Sequence, residues 1–598
     1  MGNHPTIHAT RQCDVLIIGA GGAGLRCAVH LLEKRPDLKI LAVTKVAHPQ
    51  KSHTSTAQGG LAAVDPRDKT DKPIYHMFDT WKGGDCTSDQ DVVKRIVEGG
   101  WEEIQWLERR GMHLSRNDEG NISKRQFGGH TIEFGKGDAF RAVFEADRTG
   151  KGMMDTAWGE ALKRGTVFLN FSIATEILFQ EGACAGAVLF NFKDGEFTKV
   201  LAKATVLATG GSGQVYRITT NCRGNTGDGL AVILRAGLPI MDAEAVQFHP
   251  TGIVGPGILA SEALRSEGGI LRNKDLEPFM ERYAPKMKDL APRDIVARSI
   301  ETEIREGRGI MNPDHQIEHV WIDLRHLSAY VHEVKLKEVA GFFKTYANLD
   351  SRTQLCPVLP SNHYHMGGIP TNVDGEVQRA AGEIVPGLFA IGECACASFH
   401  GFNRLGTNSL LELLVMGKAA GECVLSCLKD GRIADPAGAG EQTLSRFSGY
   451  MAARGTENTG KIRLEMRDMM TKKVGVFRNE QGVREAVAAL EEYRRRSAGA
   501  AIATQGLRTN QELLERWELD NLLDVAMVIA QGALMRQESR GAHFREDFPE
   551  RSDAFQFHNI ESMTEFGKVL FARRPVDMSL QTAGDAHSDH FEVITRKY

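Results

Sequence analysis

The stretch Asp14-Val15-Leu16-Ile17-Ile18-Gly19-Ala20-Gly21-Gly22-Ala23-Gly24 decides how this chain folds. A short apolar run leads into G-x-G-x-x-G, and residues 25–33 then read as a helix. Strand, glycine turn and helix in that order are the fingerprint of a Rossmann-like dinucleotide-binding unit. Gly19 allows the tight turn, Gly21 lets a pyrophosphate reach the backbone, and Gly24 lets helix and strand pack closely. The helix N-terminus offers the phosphates amide donors and the positive end of a dipole. A second strand is expected over 39–43. It ends in Thr44-Lys45, where a ribose-binding Asp or Glu usually stands. NAD therefore fits poorly, and the ribose needs another partner.

Outward from that unit, 598 residues are too many for one core, and two to four domains are expected. The 42% hydrophobic and 25% charged shares are those of an ordinary globular protein. A net charge of −4 gives no general attraction to nucleic acid. No apolar run reaches the length of a membrane span, and residues 1–12 lack a signal-like core. The ten cysteines contain no C-x-x-C pair, and Cys394-x-Cys396 is poor ligand spacing. Reduced, mostly buried thiols, no metal site and no one-electron relay are expected. Any such relay sits in another subunit.

Along the chain, helices are expected over 88–112 and 147–164, with a glycine-permitted loop at Phe127-Gly128-Gly129 between them. Strands follow over 166–179, 185–192 and 204–208, the last running into Thr209-Gly210-Gly211. Asn225-Thr226-Gly227-Asp228-Gly229 opens a helix to 236. The strand–helix rhythm then breaks into short elements. It resumes at Gly387-Leu388-Phe389-Ala390-Ile391-Gly392-Glu393, with a helix over 409–429. The expected fold is α/β. A discontinuous dinucleotide domain, 1–248 and 356–432, surrounds an α+β capping domain, 249–355. A linker, Asp435-Pro436-Ala437-Gly438-Ala439-Gly440, leads to a helical domain, 441–540, and a charged C-terminal tail, 541–598.

After the second strand comes Lys51-Ser52-His53-Thr54-Ser55-Thr56-Ala57-Gln58-Gly59-Gly60. This motif, at its distance from the fingerprint, resembles the flavoprotein subunit of succinate dehydrogenase and fumarate reductase, the complex II family. The resemblance implies FAD, covalently bonded through its 8-methyl carbon to His53, a bond that raises the flavin potential in that family. It implies further FAD contacts at Gly19, Ala20, Gly21, Gly22, Ala23, Gly24, Thr44, Lys45, Ser52, Thr54, Gln58, Gly59 and Gly60. Others fall at Ala174, Asp228, Glu393, Ser409 and Leu410. Asp228 also reads as a helix N-cap. Glu393 answers the missing acid near residue 45 as a ribose partner.

Four further stretches set His and Arg beside glycine turns: Gln247-Phe248-His249-Pro250-Thr251-Gly252, 261–269, Pro292-Arg293-Asp294, and His363-Tyr364-His365-Met366-Gly367-Gly368 together with 400–410. Singly, such residues are ordinary; together around a flavin they suit a dicarboxylate. Arg404 can grip a carboxylate bidentately, and His249, His363 and the Ser261 hydroxyl can donate to its oxygens. The resemblance implies substrate binding at His249, Ser261, His363, Arg404 and Phe127. It implies Arg293 as proton donor and acceptor, with Glu262 and Arg265 as its proton pathway. Position 261 is more often Thr in that family, and Ser261 keeps the hydroxyl.

The same resemblance implies a partner iron–sulfur protein subunit, a membrane anchor or cytochrome b subunit, and quinone reached through them. Iron–sulfur clusters and any haem then lie in the partners, and the chain sits on the cytoplasmic face of the inner membrane. Two other readings compete. L-aspartate oxidase, a soluble relative, lacks the covalent histidine, and Ser52-His53-Thr54 argues against it. A non-catalytic flavin-binding or assembly protein does not need His249, Arg293, His363 and Arg404 together.

Overall fold

The computed structural model describes residues 4–428, 435–565, 567–584, 586–594 and 596. The expected positions 1–3 and 429–432, Lys429 included, lie outside the described residues.

The apolar run 14–18 is the inner half of a strand, Ile7–Ile18. Val15, Leu16 and Ile17 have no exposed surface, and a strand covered on both faces reads as a continuous apolar run rather than an alternation. Ile40–Val43 and Glu196–Leu207 flank it in parallel. Val167–Leu169 and Ile384–Ala390 extend the sheet on either side, also in parallel. Glu376–Gln378, Ala183–Asn191 and Ser172–Gln180 join it in antiparallel fashion, making eight strands. In such a sheet the ligand crevice lies beyond the carboxyl ends of the parallel strands.

The turn that opens this crevice needs its glycines. Gly19 has φ +115°, and a Cβ there would lie 2.0 Å from the Ala208 carbonyl oxygen. A Cβ on Gly24 would lie 2.1 Å from the Gly19 oxygen. The fingerprint helix spans Gly22–Lys34, starting within the turn itself. A second helix, Asn408–Cys427, packs along it, and a Cβ on its Gly417 would sit 2.8 Å from the Ala23 oxygen. Behind the first helix Arg26 and Glu103 form a buried bidentate pair, at 2.6 and 3.0 Å, with Trp106 stacked on the guanidinium. Glu103→Ala strands that guanidinium, so a loss of about 3–5 kcal/mol is expected, read as a lower denaturation midpoint.

Several elements differ from the sequence expectation. Phe127-Gly128-Gly129 is not a loop but lies inside the strand Lys124–Ile132. The register slips there, and Gly129 takes φ +86°. The glycines permit a bulge rather than a break. The expected strand 166–179 is two, Val167–Leu169 and Ser172–Gln180, divided by Phe171 at φ +57°.

The segment between the two halves of the dinucleotide unit carries its own antiparallel sheet. Its strands include Val246–Ile253, Cys356–His365 and Ile317–Asp323, with the helices Arg293–Glu303 and Lys337–Ala347. A separate apolar cluster runs from Ile253 to Val358 through Val296, Ile322 and Phe343. The first two strands pair with His249 opposite Ser361, which brings His249 and His363 onto one ladder.

Part of the stretch expected as a charged tail is packed inward. Arg540, His543, Arg545 and His558 are at most 1% exposed. Phe557–Met563 and Val569–Pro575 form a small sheet with Ile240–Met241. Composition cannot distinguish a solvated charge from a buried, paired one. Here Arg540 pairs with Glu538, Arg545 with Asp547, and His558 bridges Asp89 and Asp242. Among the described residues no helix is long and apolar enough to cross a membrane.

Candidate active site

A single cavity of about 760 Å³ runs from the fingerprint turn to the strands that carry His249 and His363. That volume is in the range of cofactor and substrate sites. Of the expected cofactor residues, all but Gly24 line it: Gly19–Ala23, Thr44, Lys45, the 52–60 loop, Ala174, Asp228, Glu393, Ser409 and Leu410. Gly24 instead serves the strand–helix contact. At Gly21 a Cβ would meet only Thr54 Oγ1, at 3.5 Å. The protein's own packing therefore does not demand glycine there, and the space a side chain would fill is the approach a phosphate needs. The N-termini of two helices, at Gly22 and Asn408, open on the cavity. This donor set fits a flavin dinucleotide.

Asp228 is neither a cap nor a free acceptor. Gly227, in a left-handed conformation, is the N-cap. Asp228 Oδ2 accepts from Lys45 Nζ at 3.0 Å, and Oδ1 accepts from Thr226 and Asn521. Glu518, from the long C-terminal helix Gln511–Met535, takes the same ammonium at 2.5 Å. Burial pushes the Lys45 pKa down, but the two carboxylates outweigh it and hold it up. The lysine at the end of the second strand is thus a fixed cation. Glu393 lies beside the Gly211 turn and accepts from the His365 amide at 3.2 Å. Burial raises its pKa to about 7 against the pull of Arg404.

At the other end, Arg404 is 5% exposed and stacks 4.8 Å over Tyr364. Its Nη1 donates to Ser409 Oγ at 2.9 Å, its Nε has no partner, and among the described residues it pairs with no carboxylate. Burial and then Arg293 push its pKa down to about 9. His249 is fully buried, with Nδ1 accepting from the Thr251 amide at 3.2 Å. Burial and the neighbouring arginines hold its pKa well below the usual range. It is neutral, so its proton is on Nε2, an unpartnered donor. The His363 ring lies 5.0 Å away, oriented by Thr220 at 2.7 Å.

Arg293, first residue of its helix, donates from Nε to Glu262 at 2.7 Å and from Nη1 to Gln247 at 3.4 Å. Arg265 sits behind them, outside the cavity lining, with Nη2 at 3.8 Å from the same carboxylate. Burial alone raises the Glu262 pKa, but the two guanidiniums bring it below the ordinary value. Ser261 and Phe127 also line this end, and the Phe127 ring is 3.3 Å from where a Gly59 Cβ would be.

His53 faces the cavity between the two ends. The Thr56 hydroxyl gives its proton to the His53 carbonyl at 2.7 Å, so at 3.2 Å it accepts from His53 Nδ1. That leaves the lone pair on Nε2. Burial and Arg404 lower the pKa to about 4 and keep the ring neutral.

Residues 14–410 match the family model of the FAD binding domain, and 463–598 match that of the fumarate reductase flavoprotein C-terminus. The chain is 42% identical to the succinate dehydrogenase flavoprotein subunit of Coxiella burnetii, over 95% of this chain and 97% of that protein. The chain belongs to the succinate dehydrogenase and fumarate reductase flavoprotein family. Both branches are represented: the fumarate reductase flavoprotein subunit of Proteus vulgaris is 39% identical over 90% of each chain. The fold agrees. An E. coli quinol fumarate reductase superposes with a TM-score of 0.90 at 35% identity, covering 95% of this chain and 97% of that one.

Other residues of this family member's site escaped the sequence reading. Thr56, Thr220, Tyr364 and Glu518 each orient a predicted residue; Thr56 and Tyr364 lie within quoted stretches but had no expected role, and Thr220 and Glu518 lie outside every motif. Tyr364 is itself held by Glu412, which also takes His400 at 2.9 Å. His365, between Ser212 and the Ala243 carbonyl, is a structural histidine.

Proposed function

We propose that this chain is the catalytic flavoprotein subunit that interconverts succinate and fumarate, with FAD bonded covalently to His53. The observation that carries the substrate class is Arg404: a buried guanidinium that pairs with no carboxylate among the described residues, beside the unpartnered Nε2 donor of His249. FAD, when bound, supplies the two-electron hydride chemistry that these side chains lack. The protein's part is electrostatic and protonic. Arg404, His249, His363 and the Ser261 hydroxyl hold one carboxylate and polarise it, which stabilises negative charge on the alkene carbon that does not receive the hydride. Arg293 gives that carbon its proton, or takes it back in the oxidative direction. A guanidinium is a poor acid, with a pKa above 12. Glu262, bonded to Arg293 and next to Arg265, allows its neutral form to be transient and reloads it.

Activity and binding assays test the reading. Succinate-dependent dye reduction and fumarate-dependent dye oxidation should both be present, and malonate should perturb the flavin spectrum. Turnover of L-aspartate without succinate, on flavin that washes free, would instead place the chain with the oxidases.

The partner reading extends this proposal. An iron–sulfur subunit docks near the flavin and a membrane anchor holds the pair at the cytoplasmic face, with quinone reached through them. What supports it is that a solved relative, 36% identical over 95% of this chain, is a quinol-fumarate reductase with menaquinol molecules. The isolated chain is therefore expected to reduce fumarate with artificial dyes but not with quinol. Quinol-driven turnover by this chain alone removes the need for partners.

A further inference from the structure

Far from the catalytic cavity, the last turn of the helix Asn408–Cys427 meets the edge strand Glu376–Gln378 of the main sheet. Cys423 and Cys427, one helical turn apart, place their sulfurs 3.9 Å from each other. These two sulfurs and a Glu376 carboxylate oxygen all lie within 4.8 Å of one another. Zinc–thiolate bonds of about 2.3 Å in tetrahedral geometry put two sulfurs about 3.8 Å apart, so the thiol pair already has the bite of a zinc chelate. We propose that Cys423, Cys427 and Glu376 form a site for a thiophilic dication such as Zn²⁺, with water completing the tetrahedron.

Three features of the surroundings favour this assignment. Asn372 Nδ2 donates to Glu376 Oε2 at 2.9 Å, which orients the carboxylate as outer-shell partners do in metal sites. The neighbouring cations are committed elsewhere: Arg95 to Glu422 and Asp374, Lys418 to Glu102 and Glu422. Cys427 is exposed and Cys423 half-buried, so an ion can enter from solvent. Bound there, it ties the end of the helix that begins beside Arg404 to the sheet on which the cofactor unit is built.

The ligand set was invisible to a search for C-x-x-C. C-x-x-x-C becomes a chelate only on a helix, where residues four apart share a face, and its third ligand comes from a strand distant in sequence.

Zinc K-edge X-ray absorption on the flavin-loaded, reduced protein tests the site, because the edge is blind to flavin and to a partner's iron. The expected result is one zinc per chain with two sulfur neighbours at about 2.3 Å. Cys427→Ser should lose one of those sulfurs and weaken binding by at least about tenfold, measured against a competing chelator. Glu376→Gln should weaken binding by a similar factor while keeping both sulfurs, so the result does not hang on one variant. Zinc without sulfur neighbours, or equal affinity in wild type and Cys427→Ser, overturns the proposal. So does a reduced wild-type protein that takes up no zinc from a micromolar buffer.

Discussion

Arg293→Gln is expected to cost about 10²–10⁴-fold in turnover in either direction, while malonate still binds within about tenfold of its wild-type affinity. Arg404→Gln is expected to lose affinity and rate together, by about 10–100-fold each. The two guanidiniums share a cavity, but their partners differ. Arg404 has no carboxylate among the described residues and stacks on Tyr364, so its free valence is for a substrate anion in ground and transition states alike. Arg293 is already neutralised by Glu262 at 2.7 Å, with Arg265 behind. It adds little net charge to hold an anion and is instead wired to a proton relay. A loss confined to kcat marks an interaction made at the transition state, and a loss in both marks a binding contact. Arg293→Lys should recover a small part of the rate, since an ammonium carries a proton but lacks the planar fork that reaches substrate and Glu262 together. Neither residue is among the expected FAD contacts, although Arg404 bonds Ser409, which is, so dithionite should still reduce the flavin. Substantial succinate turnover by Arg293→Gln with fold and flavin intact would move the proton to another group, His249 or His363.

The contrast between these arginines shows where sequence reading stops. G-x-G-x-x-G after an apolar strand carries its own geometry: Gly19 and Gly24 sit where no Cβ fits, so the motif and the contact are one fact. His249 and His363 were legible as motifs, but not their placement on one antiparallel ladder, which depends on pairing across more than a hundred residues. The Lys45 environment was less legible still, because its counter-ions come from Asp228 and from Glu518 near the far end of the chain. Phe127 was assigned to a loop because paired glycines signal a break; the strand tolerates them as a bulge, since its neighbour Gly137–Val143 supplies the ladder on both sides of the slip. The inward-facing charges beyond residue 541 were expected only as part of a charged tail, because composition reports charge and not its partners. For the histidines and Lys45 the missed information is a contact between residues far apart in sequence. Phe127 lies in a hairpin, and Arg540 and Arg545 pair two residues away, so there the sequence hid a bulge and burial.

His53→Ser is expected to keep FAD but lose the covalent link entirely. After SDS denaturation, wild-type polypeptide should carry flavin fluorescence, and the variant polypeptide should carry none. The remaining contacts explain retention: the fingerprint turn, two helix N-termini, Lys45 and the 58–60 loop line the cavity independently of the imidazole. In this family the covalent bond raises the flavin potential. Its loss should therefore cut succinate oxidation, which needs a good electron acceptor, far more than fumarate reduction. Thr56 gives the assignment a second handle. Its hydroxyl is committed to the His53 carbonyl and so accepts from Nδ1, which leaves the Nε2 lone pair facing the cavity. Thr56→Val removes that acceptor while leaving the histidine in place. A hydrogen bond worth about 1 kcal/mol in selecting the tautomer corresponds to about a fivefold slower appearance of covalently bound flavin. If the variant also binds FAD and folds as wild type does, the lag separates tautomer control from simple damage to the site. Wild-type protein that releases all its flavin on denaturation, freshly prepared with its partners, would show that His53 does not form the bond.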